Sequence, residues 1–199
     1  MQPAIRKTMQ DLYKNNICFW TDPDVLCVRP EGDHDSRLTL DHARVWSTLL
    51  GITGQLLMVS DEMHSLPEER VELLRRIFPP ADIRPMELYS LSGKPRIFDL
   101  RISKAGAGEW DVAAVFNWDM FGTKRISLKP EELGLPPDKY IFYDVWEKSL
   151  LGVSGKELVV ALPPAFCRVI AVRKLMEYPQ LLGTSRHLTQ GADDLLRQA

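Results

Sequence analysis

The sequence predicts an α/β half followed by an all-β half, and three observations carry that reading. Apolar residues recur at helical spacing through the first 80 positions. Beyond them they alternate with period two. Between the two regimes stand Pro79-Pro80 and Arg84-Pro85, dipeptides that do not continue a helix.

In the first half, Ile5, Met9, Leu12 and Tyr13 share one helical face. Cys18 to Val28 follows as a strand interrupted at Pro23. Thr39 is placed to cap a helix over Leu40 to Leu50, with Asp41 favourable in its first turn. Gly51 and Gly54 then punctuate the chain before Gln55-Leu56-Leu57-Met58-Val59, a strand whose two-sided apolar character is what a parallel sheet asks for. Ser65 and Glu68 form an S-x-x-E capping box, with Pro67 in the first turn, for a helix running to Phe78. The order helix, strand, helix, strand, helix is the rhythm of βα units.

In the second half, Phe98, Leu100 and Ile102 alternate with Ile97, Asp99 and Arg101. Asp111 to Trp118 is apolar on both faces, with Val112, Ala114, Phe116 and Trp118 on one and Ala113 and Val115 on the other. Tyr140 to Trp146, Glu157 to Leu162 and Cys167 to Val172 read as three more strands. Turn signals at Ser92-Gly93, Gly106-Ala107-Gly108, Pro136-Pro137, Gly155 and Pro163-Pro164 separate them. Short strands with regular turns argue an antiparallel β-sandwich.

Composition narrows the function classes. The 199 residues allow one large domain or two small ones, and at 45% hydrophobic they suffice for a core. The formal net charge is −2 and no Lys/Arg block occurs, so nucleic acid and anionic membrane are poor partners. The apolar runs are short and broken by charge, which argues against a bilayer span. Cys18, Cys27 and Cys167 form an odd set without zinc-ligand spacing. Together with the lack of a visible signal peptide, they favour a reducing, cytoplasmic compartment.

The densest polar motif is Phe19-Trp20-Thr21-Asp22-Pro23-Asp24-Val25-Leu26. Paired acids beside a flat indole suit a sugar, the acids accepting hydroxyl hydrogen bonds and the ring covering an apolar sugar face. The same residues also suit a proline-containing turn whose aspartates bond nearby amides. Other candidates are weaker. Asp33-His34-Asp35 offers metal-ligand types, but adjacent residues rarely converge on one ion, so no metal is expected. Ser60-Asp61 has no neighbouring histidine to make a triad. His187 reads as a hydrogen-bonded histidine of the β half, and Trp110, Trp118 and Trp146 as core.

These motifs, in this order, resemble melibiase-type α-galactosidases. Trp20 to Leu26 is similar to the family's W-N-D-P-D-x-L, with Thr21 where Asn is usual. Leu56 to Asp61 resembles its final barrel strand, and Leu66-Pro67-Glu68-Glu69-Arg70 the L-P-x-E that opens the last barrel helix. Val115-Phe116-Asn117-Trp118, Asp144-Val145-Trp146 and Pro163 to Val172 resemble segments of the attached sandwich. Leu182 to Gly191 looks like the G-T-x-x-H-x-x-Q-G segment of larger bacterial members.

The resemblance implies the last βα units of a (β/α)8 barrel over 1–80, followed by an antiparallel β-sandwich over 81–199. It implies a retaining hydrolase of terminal α-galactosides when intact, with no cofactor. Trp20, Asp22 and Asp24 would shape the sugar pocket at the end of the seventh strand, and Asp61 would close the eighth on the same face. The catalytic pair belongs to earlier barrel strands, and no K-Y-D or K-F-D nucleophile motif occurs here, so no catalytic residue is expected in this chain. Two βα units cannot close a barrel of about 250 residues, so the open strand edges predict self-association through 1–80. The alternative function is a non-catalytic carbohydrate-binding or interaction module built on the sandwich.

Overall fold

A computed structural model describes residues 2–30, 38–83 and 96–195. The Arg84-Pro85 and Ser92-Gly93 signals and the Asp33-His34-Asp35 cluster lie outside the described residues.

Helix α1 spans Gln2–Asp11 and runs into a 3-10 turn over Leu12–Lys14. It buries Ile5 and rests Met9 on the core, and the 3-10 turn buries Leu12, as read from the sequence. Tyr13 in that turn is exposed, because the tighter turn takes it off the α1 face. Helix α2 spans Leu40–Thr53. Thr39 caps it as expected, its hydroxyl accepting from the His42 amide at 3.2 Å. The helix runs through Gly51 and stops at Gly54, which takes φ +60°. Gly51 therefore does not break the chain. Its missing side chain lets α3 approach, since a Cβ there would lie 2.6 Å from Ile77 Cγ2.

Helix α3 spans Glu68–Ile77, with Glu68 and Glu69 in its first turn and Arg75 and Arg76 in its last, charges that complement the helix dipole. The expected capping box does not form. Pro67 holds the N-cap position, which leaves Ser65 too far back to reach the first turn, and its hydroxyl donates to the Glu62 carbonyl at 2.9 Å instead.

The two strands expected in this half are corrected most. Cys18–Val28 and Gln55–Val59 pair only through one parallel bridge, Leu26 with Val59. The Leu26 amide donates to Met58 O at 2.7 Å, and the Ser60 amide to Leu26 O at 3.3 Å. Pro23 removes a donor, and Asp24 takes φ +80°, so the first segment cannot stay extended. The second segment buries Leu57 but exposes Leu56 and Met58, because nothing among the described residues covers its other face. A parallel ladder needs neighbours on both sides and cover on both faces.

Among the described residues, the β half is a five-stranded and a two-stranded antiparallel sheet. Strands β1 (Ile97–Lys104), β2 (Gly108–Asn117), β3 (Lys124–Leu128), β4 (Tyr140–Asp144), β5 (Ser149–Ser154), β6 (Leu158–Leu162) and β7 (Phe166–Lys174) are ordered β1-β2-β7-β4-β5 and β3-β6. The sequence reading missed β3 and β5. It also ran β4 to Trp146, whereas the strand ends at Asp144, whose Oδ1 accepts from the Trp146 and Glu147 amides at 3.0 Å and turns the chain.

The five-stranded sheet is covered on both sides. Phe98, Leu100, Val112, Ala114, Phe116, Val169 and Ala171 join one core with α2 and α3. Ala113, Val115, Ile170 and Val172 join the other with Ile126, Leu128, Val160 and Leu162 of the small sheet. The two faces assigned to Asp111–Trp118 from alternation are those observed. Each fully buried large apolar side chain contributes about 1.5–3 kcal/mol. The first core runs without a break from Ile5 and Leu26 to Leu188. Polar ties cross the same contact. Trp146 Nε1 donates to Thr48 Oγ1 at 3.0 Å, and Arg44 pairs with Glu147 at 2.8 Å.

Candidate functional site

A cleft of about 310 Å³ opens between α1 and the Asp-Pro-Asp turn. From α1 come Lys7, Thr8 and Asp11, which share one helical face at spacings of three and four. From the turn come Asp22 and Asp24, and Gln55 enters from the residue after the α2 cap. Thr21 closes the floor. Its amide and hydroxyl both donate to Asn15 Oδ1 at 3.0 Å, while Asn15 Nδ2 donates to Gly54 O at 3.1 Å. One asparagine thus seats the Asp-Pro-Asp turn on the end of α2.

The turn is built by its own acids. Asp22 Oδ1 accepts from the Asp24 amide at 2.9 Å, and Asp24 Oδ1 accepts from the Val25 amide at 2.8 Å. Each carboxylate keeps a second oxygen without a protein partner among the described residues, and both side chains are exposed. The hydrogen bonds are those of the turn reading, and the same two residues line the cleft. Deeper in, Thr8 and Gln55 are buried, at 4% and 1% exposure. Gln55 Nε2 donates to Thr53 Oγ1 at 3.2 Å, but Gln55 Oε1 and Thr8 Oγ1 have no partner among the described residues. Buried polar atoms are usually paired, so two orphans in one cleft mark a place where a donor-rich ligand would satisfy them. The sequence reading missed Lys7, Thr8, Asp11 and Gln55. The polar face of α1 was the signal for the first three, but nothing local said that it would meet the turn, and Gln55, placed in an apolar run, carried no signal of its own.

The other two expected residues lie elsewhere. Trp20 is 57% exposed next to the equally exposed Phe19 and does not line the cleft. Asp61 also stays out of it. Its carboxylate is fully buried, accepts from the Val28 amide at 2.7 Å and the Arg29 amide at 3.3 Å, and pairs with Arg29 Nη1 at 3.3 Å. Asp61 fastens the two parallel segments together. Arg70 reinforces them from α3, donating to Val28 O at 3.0 Å and to Leu38 O and Thr39 O at 3.3 Å.

The remaining motifs hold the β half together. Asn117 Nδ2 donates to the Gly122, Leu162 and Pro163 carbonyls at 2.7–3.0 Å. Asp144 pairs with Arg168 as well as turning the chain. In the segment Leu182 to Gly191, Gln190 bonds the Thr184 amide and the His187 carbonyl, and the Leu188 amide donates to Arg76 O on α3 at 2.8 Å. His187 is buried, with Nδ1 3.0 Å from Thr189 Oγ1. Among the described residues, no group of three or more His, Cys, Asp or Glu side chains is arranged to hold a metal ion, and no helix is long and apolar enough to cross a membrane.

No family model matches the chain, and no curated protein matches it in sequence. Solved structures do match. A GH27 β-L-arabinopyranosidase from Geobacillus stearothermophilus superposes with a TM-score of 0.69 at 19% identity, over 90% of this chain and 43% of that one. α-Galactosidase I from Mortierella vinacea gives 0.61 at 13%, over 86% and 44%. The α-galactosidase of Saccharomyces cerevisiae gives 0.59 at 10%, over 86% and 51%. This is the fold of the C-terminal part of GH27 glycosidases. The chain spans about half or less of the length of these solved structures. The Geobacillus enzyme is also known with arabinose bound and the yeast enzyme with raffinose.

Proposed function

We propose that this chain is the C-terminal portion of a retaining glycoside hydrolase acting on terminal α-galactosides, with the catalytic carboxylates supplied from outside it. Residues 1–80 are the last βα units of a (β/α)8 barrel, and residues 81–199 its β-sandwich. The observation that carries this reading is the cleft beside the Asp-Pro-Asp turn, which is lined by Asp22 and Asp24 together with Thr8 and Gln55, whose Oγ1 and Oε1 are unpartnered among the described residues. Acceptors in excess of donors suit a polyol, whose hydroxyls can donate to every one of them. Trp20 offers an apolar face at the rim, and Asp61 acts by holding the strand ends rather than by touching sugar.

The reading also explains the exposed apolar side chains of this half. Ile17, Phe19, Trp20, Val25, Leu56 and Met58 are each more than 40% exposed around the single Leu26–Val59 bridge. An unpaired edge flanked by apolar side chains is adhesive, so the isolated chain self-associates through residues 1–80. Light scattering at about 100 μM, well above common homodimer dissociation constants, should give at least a dimer mass.

Two measurements test the function. The chain should not release nitrophenol from p-nitrophenyl α-galactoside, and turnover above background would mean that a catalytic pair is present after all. Calorimetry with galactose and melibiose should show saturable binding that Gln55→Leu abolishes. Binding that survives Gln55→Leu and Asp22→Ala together would move the sugar site to the sandwich and favour a non-catalytic carbohydrate-binding module.

A further inference from the structure

A second cleft, of about 440 Å³, lies at the far end of the five-stranded sheet and shares no residue with the first. Its walls are the β1–β2 hairpin around Gly106 to Glu109, the end of β7 at Arg173 and Lys174, and the segment carrying Met176, Tyr178 and Gln180. The hairpin leaves room there, since a Cβ on Gly108 would meet no atom within 4 Å.

Arg173 is the unusual member. It is only 5% exposed, yet it has no carboxylate partner among the described residues. Its Nε donates to Leu182 O at 3.2 Å, and Nη2 to Gln190 O at 2.9 Å. The guanidinium lies 4.3 Å from the Trp110 ring centre. Nη1 has no acceptor among the described residues. Burial alone, with no charged neighbour to offset it, pulls its pKa down to about 10. Buried cations are ordinarily paired, because desolvation of the charge is costly unless an anion answers it. The neighbouring lysine cannot share that role, since Lys174 Nζ is committed to Asp138 at 2.5 Å.

We propose that this cleft binds a monoanionic sugar acid, its carboxylate on the free edge of Arg173 and its ring against Tyr178. A guanidinium edge matches a carboxylate in shape as well as charge. Tyr178, 59% exposed, offers a flat apolar face of the kind that sugar rings cover. Glu109 on the opposite wall selects further. It accepts a hydroxyl hydrogen bond but repels a second negative charge, which favours a uronate over a phosphate dianion. The volume falls within the range of small-ligand sites. The Gln180 side chain orders the wall without competing for ligand, since its amide bridges Lys174 O at 2.9 Å and the Met176 amide at 2.8 Å.

The test is a titration of the full chain with sodium glucuronate, followed by calorimetry and by the fluorescence of Trp110, with glucose and inorganic phosphate in parallel. Glucuronate should bind saturably with a Kd of about 1 mM, and glucose and phosphate at least about tenfold more weakly. Arg173→Lys keeps the charge but loses the fork, and should weaken glucuronate about tenfold. Arg173 also anchors two loop carbonyls, so two exposed positions carry the test if that variant fails to fold. Tyr178→Ala should weaken glucuronate about fivefold without lowering the melting temperature. Glu109→Gln should tighten it about threefold and bring phosphate closer to parity. No saturation by about 20 mM glucuronate, equal affinity for glucose or phosphate, or indifference to both Tyr178→Ala and Glu109→Gln would overturn the proposal.

Discussion

Asp24 shows how much one residue decides here. It sits at φ +80°, a region that Asn and Asp tolerate better than other residues with a side chain, and its carboxylate caps the next amide. Asp24→Asn should therefore stay within about ±0.5 kcal/mol of wild type, whereas Asp24→Ala should cost about 1 kcal/mol through the lost bond and the strained backbone. Thermal melts of the two variants check this. Asp119 makes a pH-dependent case. Its carboxylate accepts from the Phe121 and Gly122 amides and pairs with Lys124 at 3.0 Å, and these contacts hold its pKa down from 3.8 to about 2. A carboxyl more acidic in the folded state stabilises the fold above its unfolded pKa, and that contribution fades as pH falls. The stability gap between wild type and Asp119→Asn should be constant above pH about 4 and shrink towards pH about 2, read from melts across that window.

Single elements divide into those whose sequence suffices and those that need company. Helix α2 needs little more than its Thr39 cap, its apolar residues and the Gly54 stop, of which the cap was legible in advance, whereas the end was read one turn early at Gly51. The parallel segments are different, because what joins them is one backbone bridge and the Asp61 carboxylate. Asp61→Ala should cost about 3 kcal/mol, since it leaves the buried Val28 amide unsatisfied, and Asp61→Asn about half as much. Urea melts of the two variants would measure both. A loss below about 0.5 kcal/mol for Asp61→Ala would instead free this residue for a direct role at the cleft. Strand β5 was not legible because none of its residues is buried, and a strand without buried positions lacks the alternation that marks one. Strand β3 does bury Ile126 and Leu128 in alternation, but two apolar positions in five residues are too short a pattern to read.

At the scale of the molecule, the proline-rich change of period at 79–85 does not separate two cores. The sheet face made by Phe98, Val112, Phe116 and Val169 is covered by α2, against which α3 packs, and Thr48 bonds Trp146 across the contact. Expressed alone, residues 81–199 should keep strand content by far-UV circular dichroism but bind a hydrophobic dye and melt without a cooperative transition. A sharp two-state melt of that fragment, with no dye binding, would show that the small-sheet core suffices.

What the sequence determined by itself was local and periodic. The Thr39 cap, the apolar face of α1, the two-faced β2 strand and the Asp-Pro-Asp turn follow from the spacing of side chains and the conformational limits of Thr, Gly and Pro, which act within a few residues. What only the tertiary structure decided was convergence. Gln55 and Thr8 share a cleft with Asp22, Asp61 turns away to backbone amides, and Arg173 is buried without an anion because of segments far apart in the chain. Hydrogen-bond satisfaction and desolvation depend on which distant groups arrive, and no local pattern carries that information.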